Sequence, residues 1–347
     1  MNALSERIAR LIQAQGPISV AQYMTMALHD PQYGYYATRD PLGREGDFIT
    51  APEISQIFGE LLGLWTAQCW HDQGKPASAT LMELGPGRGT LMNDALRAAR
   101  LMPQFRAALT VEMVESNPVL RVMQEKLLAE CGVPVTWRGA FAPPDRPLFL
   151  LANEFFDALP IRQFVKTERG WCERMVTVDT SGALDFALAP EASPIAPERG
   201  PAELGAVYEV SPAAIAAAES LARVIANKGG AALIVDYGYG ADAGYGETLQ
   251  ALKGQAFAGL LDTPGEADLS AHVDFAALAQ AAREAGAVTY GLVDQGDFLM
   301  ALGAVGRAAK LKQFEALDRL IKPAQMGTLF KALAILPGTA PPPPGFA

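Results

Sequence analysis

Residues suited to chemistry gather first in one turn, Glu83-Leu84-Gly85-Pro86-Gly87-Arg88-Gly89-Thr90. Glycines between a strand and a helix let the backbone approach a ligand closely, and the helix start offers free N–H groups. Two ligand classes use such a turn. A dinucleotide fingerprint wants Gly or Ala at its sixth position, where this chain has Thr90. An S-adenosylmethionine (SAM) site takes an acidic residue two before the first glycine, then GxGxG. Glu83, Gly85, Gly87 and Gly89 satisfy that pattern. A carboxylate suits the amino group of a methionine moiety and is a poor neighbour for pyrophosphate. A tight turn with no ligand is the third alternative.

A second signal is Glu115, placed where an acidic side chain ending the next strand accepts from both ribose hydroxyls. It serves either nucleotide class, and a solvated charge at a strand end would look the same. The third signal is Asn153-Glu154-Phe155-Phe156-Asp157. Asn153 can orient a nitrogen or the cofactor. Glu154 and Asp157 can bind a cationic acceptor such as a guanidinium, which pairs with carboxylate in a two-toothed geometry. Phe155 and Phe156 wall a slot or belong to the core.

Alternating strands and helices must position these groups. Ala79–Leu84 reads as a short apolar strand, followed by a helix with Leu91, Ala95, Leu96 and Ala99 on one face. Thr110–Glu115, Val133–Trp137 and Leu148–Ala152 read as the next strands. The last is apolar on both faces, as a central parallel strand should be. Asn117-Pro118 opens a helix running to about Glu130. Ala231–Asp236, Val288–Val293 and Leu329–Leu336 complete a parallel α/β pattern. Between them, Ile161–Thr167, Trp171–Val178 and Leu184–Leu188 alternate like an antiparallel meander, with a loose loop over 189–204. Ser211 and Pro212 start a helix that Gly229-Gly230 ends. Upstream, helices are expected over 3–15 and 53–72, around a Tyr-rich lid loop at 29–52.

Composition sets the outer bounds. The chain has 347 residues, half of them hydrophobic, and a formal charge of −10. That composition supports a sizeable core and excludes a disordered chain. An acidic chain is a poor general binder of nucleic acid, because phosphate contacts need Lys and Arg. Cys69, Cys131 and Cys172 lie far apart without a CxxC pair, which argues against a disulfide framework or a Cys-based zinc site. The start, MNALSERIARLIQAQG, carries Glu6, Arg7 and Arg10 and no long apolar run. No stretch suits a membrane span. A soluble, cytoplasmic protein with no membrane or nucleic-acid partner is the expectation, and no metal is implied. His272 has no partner at ligand spacing.

Long stretches of the chain resemble the MidA-like family of class I SAM-dependent methyltransferases. They are PISVAQYMTMALHDPQYGYYATRDPLGREGDFITAPEISQIFGELLG, MELGPGRGTLMNDALR, ANEFFDALPIRQF, GGAALIVDYGY and GEADLSAHVDF, spread over roughly 16–336. The chain resembles a bacterial relative of mitochondrial members that are protein arginine methyltransferases helping to assemble respiratory complex I. One departure is Asn153, where the mitochondrial members carry His. Asn keeps a polar hydrogen-bonding group there.

The resemblance implies an α/β fold: a seven-stranded, Rossmann-like methyltransferase sheet with an N-terminal helical cap and an inserted antiparallel β-meander. The expected division is a cap and lid over 1–75, a SAM-binding domain over 76–160 and 205–336, the meander over 161–204, and a disordered tail over 337–347. It also implies that Gly46–Thr50 closes over the cofactor, bringing Thr50, Ser55 and Gln56 to its methionine or ribose end. Helix capping explains Thr50 and Ser55 equally well. Asp236, Tyr237 and Gly238 are expected to face the acceptor cleft, with Asp268, His272 and Asp274 as further candidates. Glu154 is the first expected holder of an arginine acceptor and Asp157 the second. The expected substrate is an arginine-bearing protein segment, on a complex I subunit or bacterial counterpart. A non-catalytic SAM-binding assembly chaperone and an NAD-dependent oxidoreductase are the alternatives.

Overall fold

A computed structural model of the protein describes residues 2–38, 50–194 and 199–346. Its core is a sheet whose continuous path has seven strands: β1 (Ala79–Leu84), β2 (Leu109–Val114), β3 (Val135–Arg138), β4 (Leu148–Asn153), β5 (Gly230–Tyr239), β6 (Ala287–Asp294) and β7 (Phe330–Pro337). Their order is β3-β2-β1-β4-β5-β7-β6. Strands β1 to β5 pair in parallel. β7 runs antiparallel to both β5 and β6. A two-residue strand, Val273–Asp274, lies off this path, so the expected count of seven describes the path and not every strand.

Every residue of β1 and β4 is buried, which explains their unbroken apolar runs. The chain leaves β1 toward β2 on one side, and β4 lies on the other. Their carboxyl ends therefore flank the switch point, where open α/β sheets bind ligands. Gly230 starts β5 because nothing larger fits: a Cβ there would sit 1.9 Å from the Leu148 carbonyl oxygen.

The expected helix over 53–72 is two helices. Ser55 is extended between them, and its hydroxyl accepts from the Ile57 amide, capping α1 (Gln56–Asp72). α1 lies against α2 (Thr90–Ala99), the helix that leaves the glycine turn. Gly59 and Gly63 make that approach possible. A Cβ on Gly59 would meet Asp94 Cβ at 2.6 Å, and one on Gly63 would meet Ala95 Cα at 2.5 Å. Buried Glu60 of α1 accepts from Arg97 at 3.0 Å, and accepts from Arg307 as well.

The chain divides into two units, and the division differs from the expected one. Residues 1–41, 157–214 and 239–274 form one unit, and 42–156, 215–238 and 275–347 the other. The expected cap over 1–75 is thus split: its first helices belong with the meander, and α1 belongs with the core sheet. The reason is pairing, since Ile18–Ser19 adds an edge strand to the meander against Met175 and Val176. Val207–Val210 pairs at the other side, with Arg162–Thr167. The meander's third strand runs to Ala192, into the stretch expected to be a loop. The tail is also ordered through residue 346. Trp65 Nε1 donates to the Pro344 carbonyl, and the Phe346 ring lies 5.1 Å from that of Phe298. Its Pro-rich composition hid one aromatic anchor.

Gly63→Ala is expected to destabilise the protein by about 1–3 kcal/mol, as overpacking does. At an open helix position the same change would stabilise by about 1 kcal/mol. Urea unfolding decides the sign, and a raised midpoint would refute the close approach of α1 and α2.

Candidate active site

The turn after β1 is built on left-handed backbone. Gly85, Gly87 and Gly89 have φ of +59°, +54° and +85°, values that exclude most side chains. The Gly85 amide donates to Val114 at the end of β2, and the Gly89 amide donates to Pro86. Gly89 then stands at the N-cap of α2 with no side chain to cap it. Thr90, the residue that spoils a dinucleotide fingerprint, donates its hydroxyl to Glu53 at 2.5 Å.

Glu83 ends up buried beneath this turn, and its Oε2 has no hydrogen-bond partner. Burial holds its carboxyl well above the usual carboxylate range, against the pull of the Met92 amide, and the Glu115 charge adds to the rise. An orphaned buried carboxylate oxygen at a ligand-binding strand end fits a cationic group such as an amino acid's ammonium. Glu115 follows β2 and is also buried. Its Oε1 accepts from the Asn117 amide at 2.7 Å and its Oε2 from Gln124 Nε2 at 3.3 Å. Burial raises its pKa, and those donors partly offset the rise. Two carboxylate oxygens fixed by donors still hold lone pairs for ribose hydroxyls. These residues fit SAM.

Beyond β4, Glu154 has φ of +51°, a left-handed backbone rare outside glycine. Strain of this kind persists only where neighbours over-determine it. Here the Glu154 amide donates to Val235, and Asp236 Oδ2 accepts from the next two amides, Phe155 at 3.1 Å and Phe156 at 2.9 Å. The Glu154 Oε1 accepts from Asn153 Nδ2 at 3.0 Å and from the Ala51 amide at 3.1 Å. Phe155 lies over the glycine turn: a Cβ on Gly85 would be 2.8 Å from its Cδ2.

Several residues named from sequence fall elsewhere. Asp236 does not face a cleft; it is fully buried and holds the β4 turn. Ser55 is committed to capping α1 and to donating to Gln313 at 2.7 Å. Thr50 occupies a helix N-cap position without a side-chain cap bond, and Gln56 is half-buried at the start of α1. Gly46–Ile49 of the expected closing segment lies outside the described residues. Asp157 belongs to the other unit, where its charge helps raise the Tyr36 pKa behind burial and the Asp268 charge. Asp268 accepts from Tyr36 at 2.6 Å, Asp274 pairs with Arg199, and His272 donates its amide to Thr248. Among the described residues, no group of three His, Cys, Asp or Glu side chains is placed to hold a metal ion. No described helix is long and apolar enough to cross a membrane. Sequence reasoning missed Gln124, Trp137 and Glu53, whose contacts with this site are long-range.

Comparisons with known proteins agree with this geometry. Residues 61–293 match the family described as "Putative S-adenosyl-L-methionine-dependent methyltransferase". The mouse protein named "Protein arginine methyltransferase NDUFAF7, mitochondrial" is 39% identical over 94% of this chain and 82% of its own length. Its human counterpart is 37% identical over 94% and 81%. A Burkholderia thailandensis crystal structure with bound S-adenosyl-homocysteine superposes with a TM-score of 0.87 at 31% identity, covering 99% of this chain and 94% of that one. The expectation of a cytoplasmic protein is overturned by these curated relatives, which are named as mitochondrial. With the glycine turn, the two buried carboxylates and these matches in hand, the chain belongs to the S-adenosyl-L-methionine-dependent methyltransferase family.

Proposed function

We propose that this SAM-dependent methyltransferase acts on arginine nitrogen in a protein substrate, on a subunit of respiratory complex I or a bacterial counterpart. The observation that carries the reading is Glu154: a carboxylate forced into left-handed backbone at the switch point, next to the cofactor turn. The names of the curated relatives support arginine as acceptor. The complex I subunit rests on the family resemblance alone.

SAM, held by Glu83, Gly85, Gly87, Gly89 and Glu115, supplies a methyl group already activated by its sulfonium. The chain must then align a nucleophile and keep its lone pair available. A guanidinium is a poor nucleophile because its lone pairs are delocalised. In this proposal the Glu154 carboxylate accepts from its N–H groups and draws positive charge toward itself, away from the attacking nitrogen. Asn153, which already donates to Glu154, fixes that carboxylate's orientation. Asp157 is the second proposed carboxylate. Thr50 and Gln56 remain proposed cofactor contacts.

The test is incubation of the purified protein with methyl-labelled SAM and extract from cells lacking it. One labelled band carrying methylarginine is expected. Label on another residue type would refute arginine, and cofactor binding without any label would favour the assembly-chaperone reading. Glu154→Gln should keep SAM affinity, since an amide oxygen can replace the acceptor for Ala51, yet lose about tenfold or more in turnover. Unchanged turnover would remove Glu154 from catalysis. Gly87→Val should abolish cofactor binding, because a β-branched side chain is strongly strained at φ of +54° and would stand in the ligand's path.

The two buried acids set a pH dependence. Both carboxyls hold their protons to higher pH than ordinary carboxylates, and in this reading the cofactor's ammonium and hydroxyl donors favour their ionised forms. Binding must then release protons, and affinity must rise with pH through the range where they titrate. Calorimetry in buffers of different ionisation heat should show that release, and proton uptake would contradict the assignment.

A further inference from the structure

Helix α3 (Pro118–Leu128) follows β2 and presents one polar side chain to the core side, Gln124, which is fully buried. A buried primary amide must satisfy two donors and an acceptor oxygen, and this one does so with three different elements. Its Nε2 donates to the Gly87 carbonyl in the cofactor turn at 2.6 Å. The same nitrogen donates to Glu115 Oε2 beyond β2 at 3.3 Å. Its Oε1 accepts from Trp137 Nε1 on β3 at 2.9 Å. A Cβ on Gly89 would lie 3.2 Å from Gln124 Cγ, so the glycine turn is packed directly on this side chain.

We infer that Gln124 is a positioning residue for the cofactor, a side chain that locks the methionine-side turn and the ribose-side carboxylate into a common geometry. The inference rests on the SAM reading of this site. Trp137 sets the sense of the amide: an indole N–H can only donate, so the oxygen faces Trp137 and the NH2 group faces the turn. Donation to Gly87 then fixes the Gly87–Arg88 peptide plane. In a trans peptide the C=O and the following N–H point opposite ways, so the Arg88 N–H is turned away from α3. The second Nε2 hydrogen restrains Glu115 Oε2, while Asn117 restrains Oε1. Without Gln124 the turn's peptide can rotate and the carboxylate can swing. Cofactor binding would then have to order both, which costs affinity.

The test uses calorimetric binding of S-adenosyl-homocysteine to the full chain and three variants. Gln124→Met keeps the side chain's length and removes both donors and the acceptor. It should raise Kd by about tenfold or more, since the Gly87 carbonyl and the buried Glu115 carboxylate lose their shared donor. Trp137→Phe should raise Kd severalfold, because the amide can then turn over. Gln124→Glu separates positioning from mere packing. It keeps the shape and the acceptor for Trp137, but donates only when protonated. Gln124 touches Glu115 after β2, which in turn interacts electrostatically with Glu83 at the end of β1 and with Arg121 on α3. The two acids disfavour an added carboxylate. The ratio of variant to wild-type Kd should therefore shrink as pH falls from 8 toward 5, roughly as a carboxyl with a raised pKa regains its proton. A pH-independent ratio, or a Gln124→Met Kd equal to wild type in a cooperatively folding protein, overturns the inference. If Gln124→Met does not fold, the Gln124→Glu ratio and the Trp137→Phe affinity decide the question. Wild-type protein that does not bind S-adenosyl-homocysteine overturns the cofactor reading itself, and this inference with it.

Discussion

One buried carboxylate, Asp236, governs the geometry at the carboxyl ends of β4 and β5. It is fully buried and accepts from three backbone amides, those of Phe155, Phe156 and Tyr237. Charge-assisted bonds of this kind are strong in a low-dielectric interior, and removing the acceptor would orphan buried N–H groups. They bend the chain sharply after Asn153, and the bend is what forces Glu154 into left-handed backbone. The same bend aims Phe155 at Gly85, so the turn after β4 and the turn after β1 share a wall. Glu154 is placed by this acid from a strand about 80 residues further along the chain, which no local pattern could announce.

A second constraint is the approach of α1 to α2. Gly59 and Gly63 bring one helix onto the backbone of the other, and α2 begins at Gly89. The glycine turn is therefore braced from both ends, by β1 below and by a helix pair that cannot slide. Glu53, just before α1, reaches the Thr90 hydroxyl at 2.5 Å, and Arg88 lies 3.8 Å from the same carboxylate. Thr90 and the cationic Arg88 thus both reach the Glu53 carboxylate before α1, so SAM need not neutralise Arg88.

The central strands and the turns they carry were legible because each has a local cause. β1 begins and ends at Ala79 and Leu84 as expected, since a fully buried strand shows an apolar run that stops at glycine. β4 and β5 were found for the same reason, and the antiparallel meander by its alternation. What failed depended on distant partners. Asp236 was placed in a cleft because an acid at a strand end looks functional, while two of its three amide partners come from another strand's turn. The helices at Ala304–Leu311 and Phe314–Ile321 went unread. The 1–75 cap fell apart because Ile18–Ser19 finds its partner in residues 175–176. Gln124 was invisible, since a lone Gln in an amphipathic helix normally faces water.

The paired carboxylates also decide between the two ligand classes that the glycine turn left open. Glu83 and Glu115 are both buried, burial raises the cost of ionising each, and the Glu115 charge adds to that cost at Glu83. A pyrophosphate placed here would add negative charge to two acids that already resist it, so the helix N-terminus of α2 would be opposed by its own surroundings. An ammonium and a sulfonium reverse the sign. Each lowers the cost of the nearby carboxylate, and the ribose hydroxyls donate where a phosphate could only accept. The unsatisfied Glu83 oxygen then finds a donor on binding instead of a repulsion. Affinity for a cationic cofactor and the raised carboxylate pKa values are thus two consequences of one arrangement. Thr90 belongs to the same arrangement, since its hydroxyl donates to Glu53.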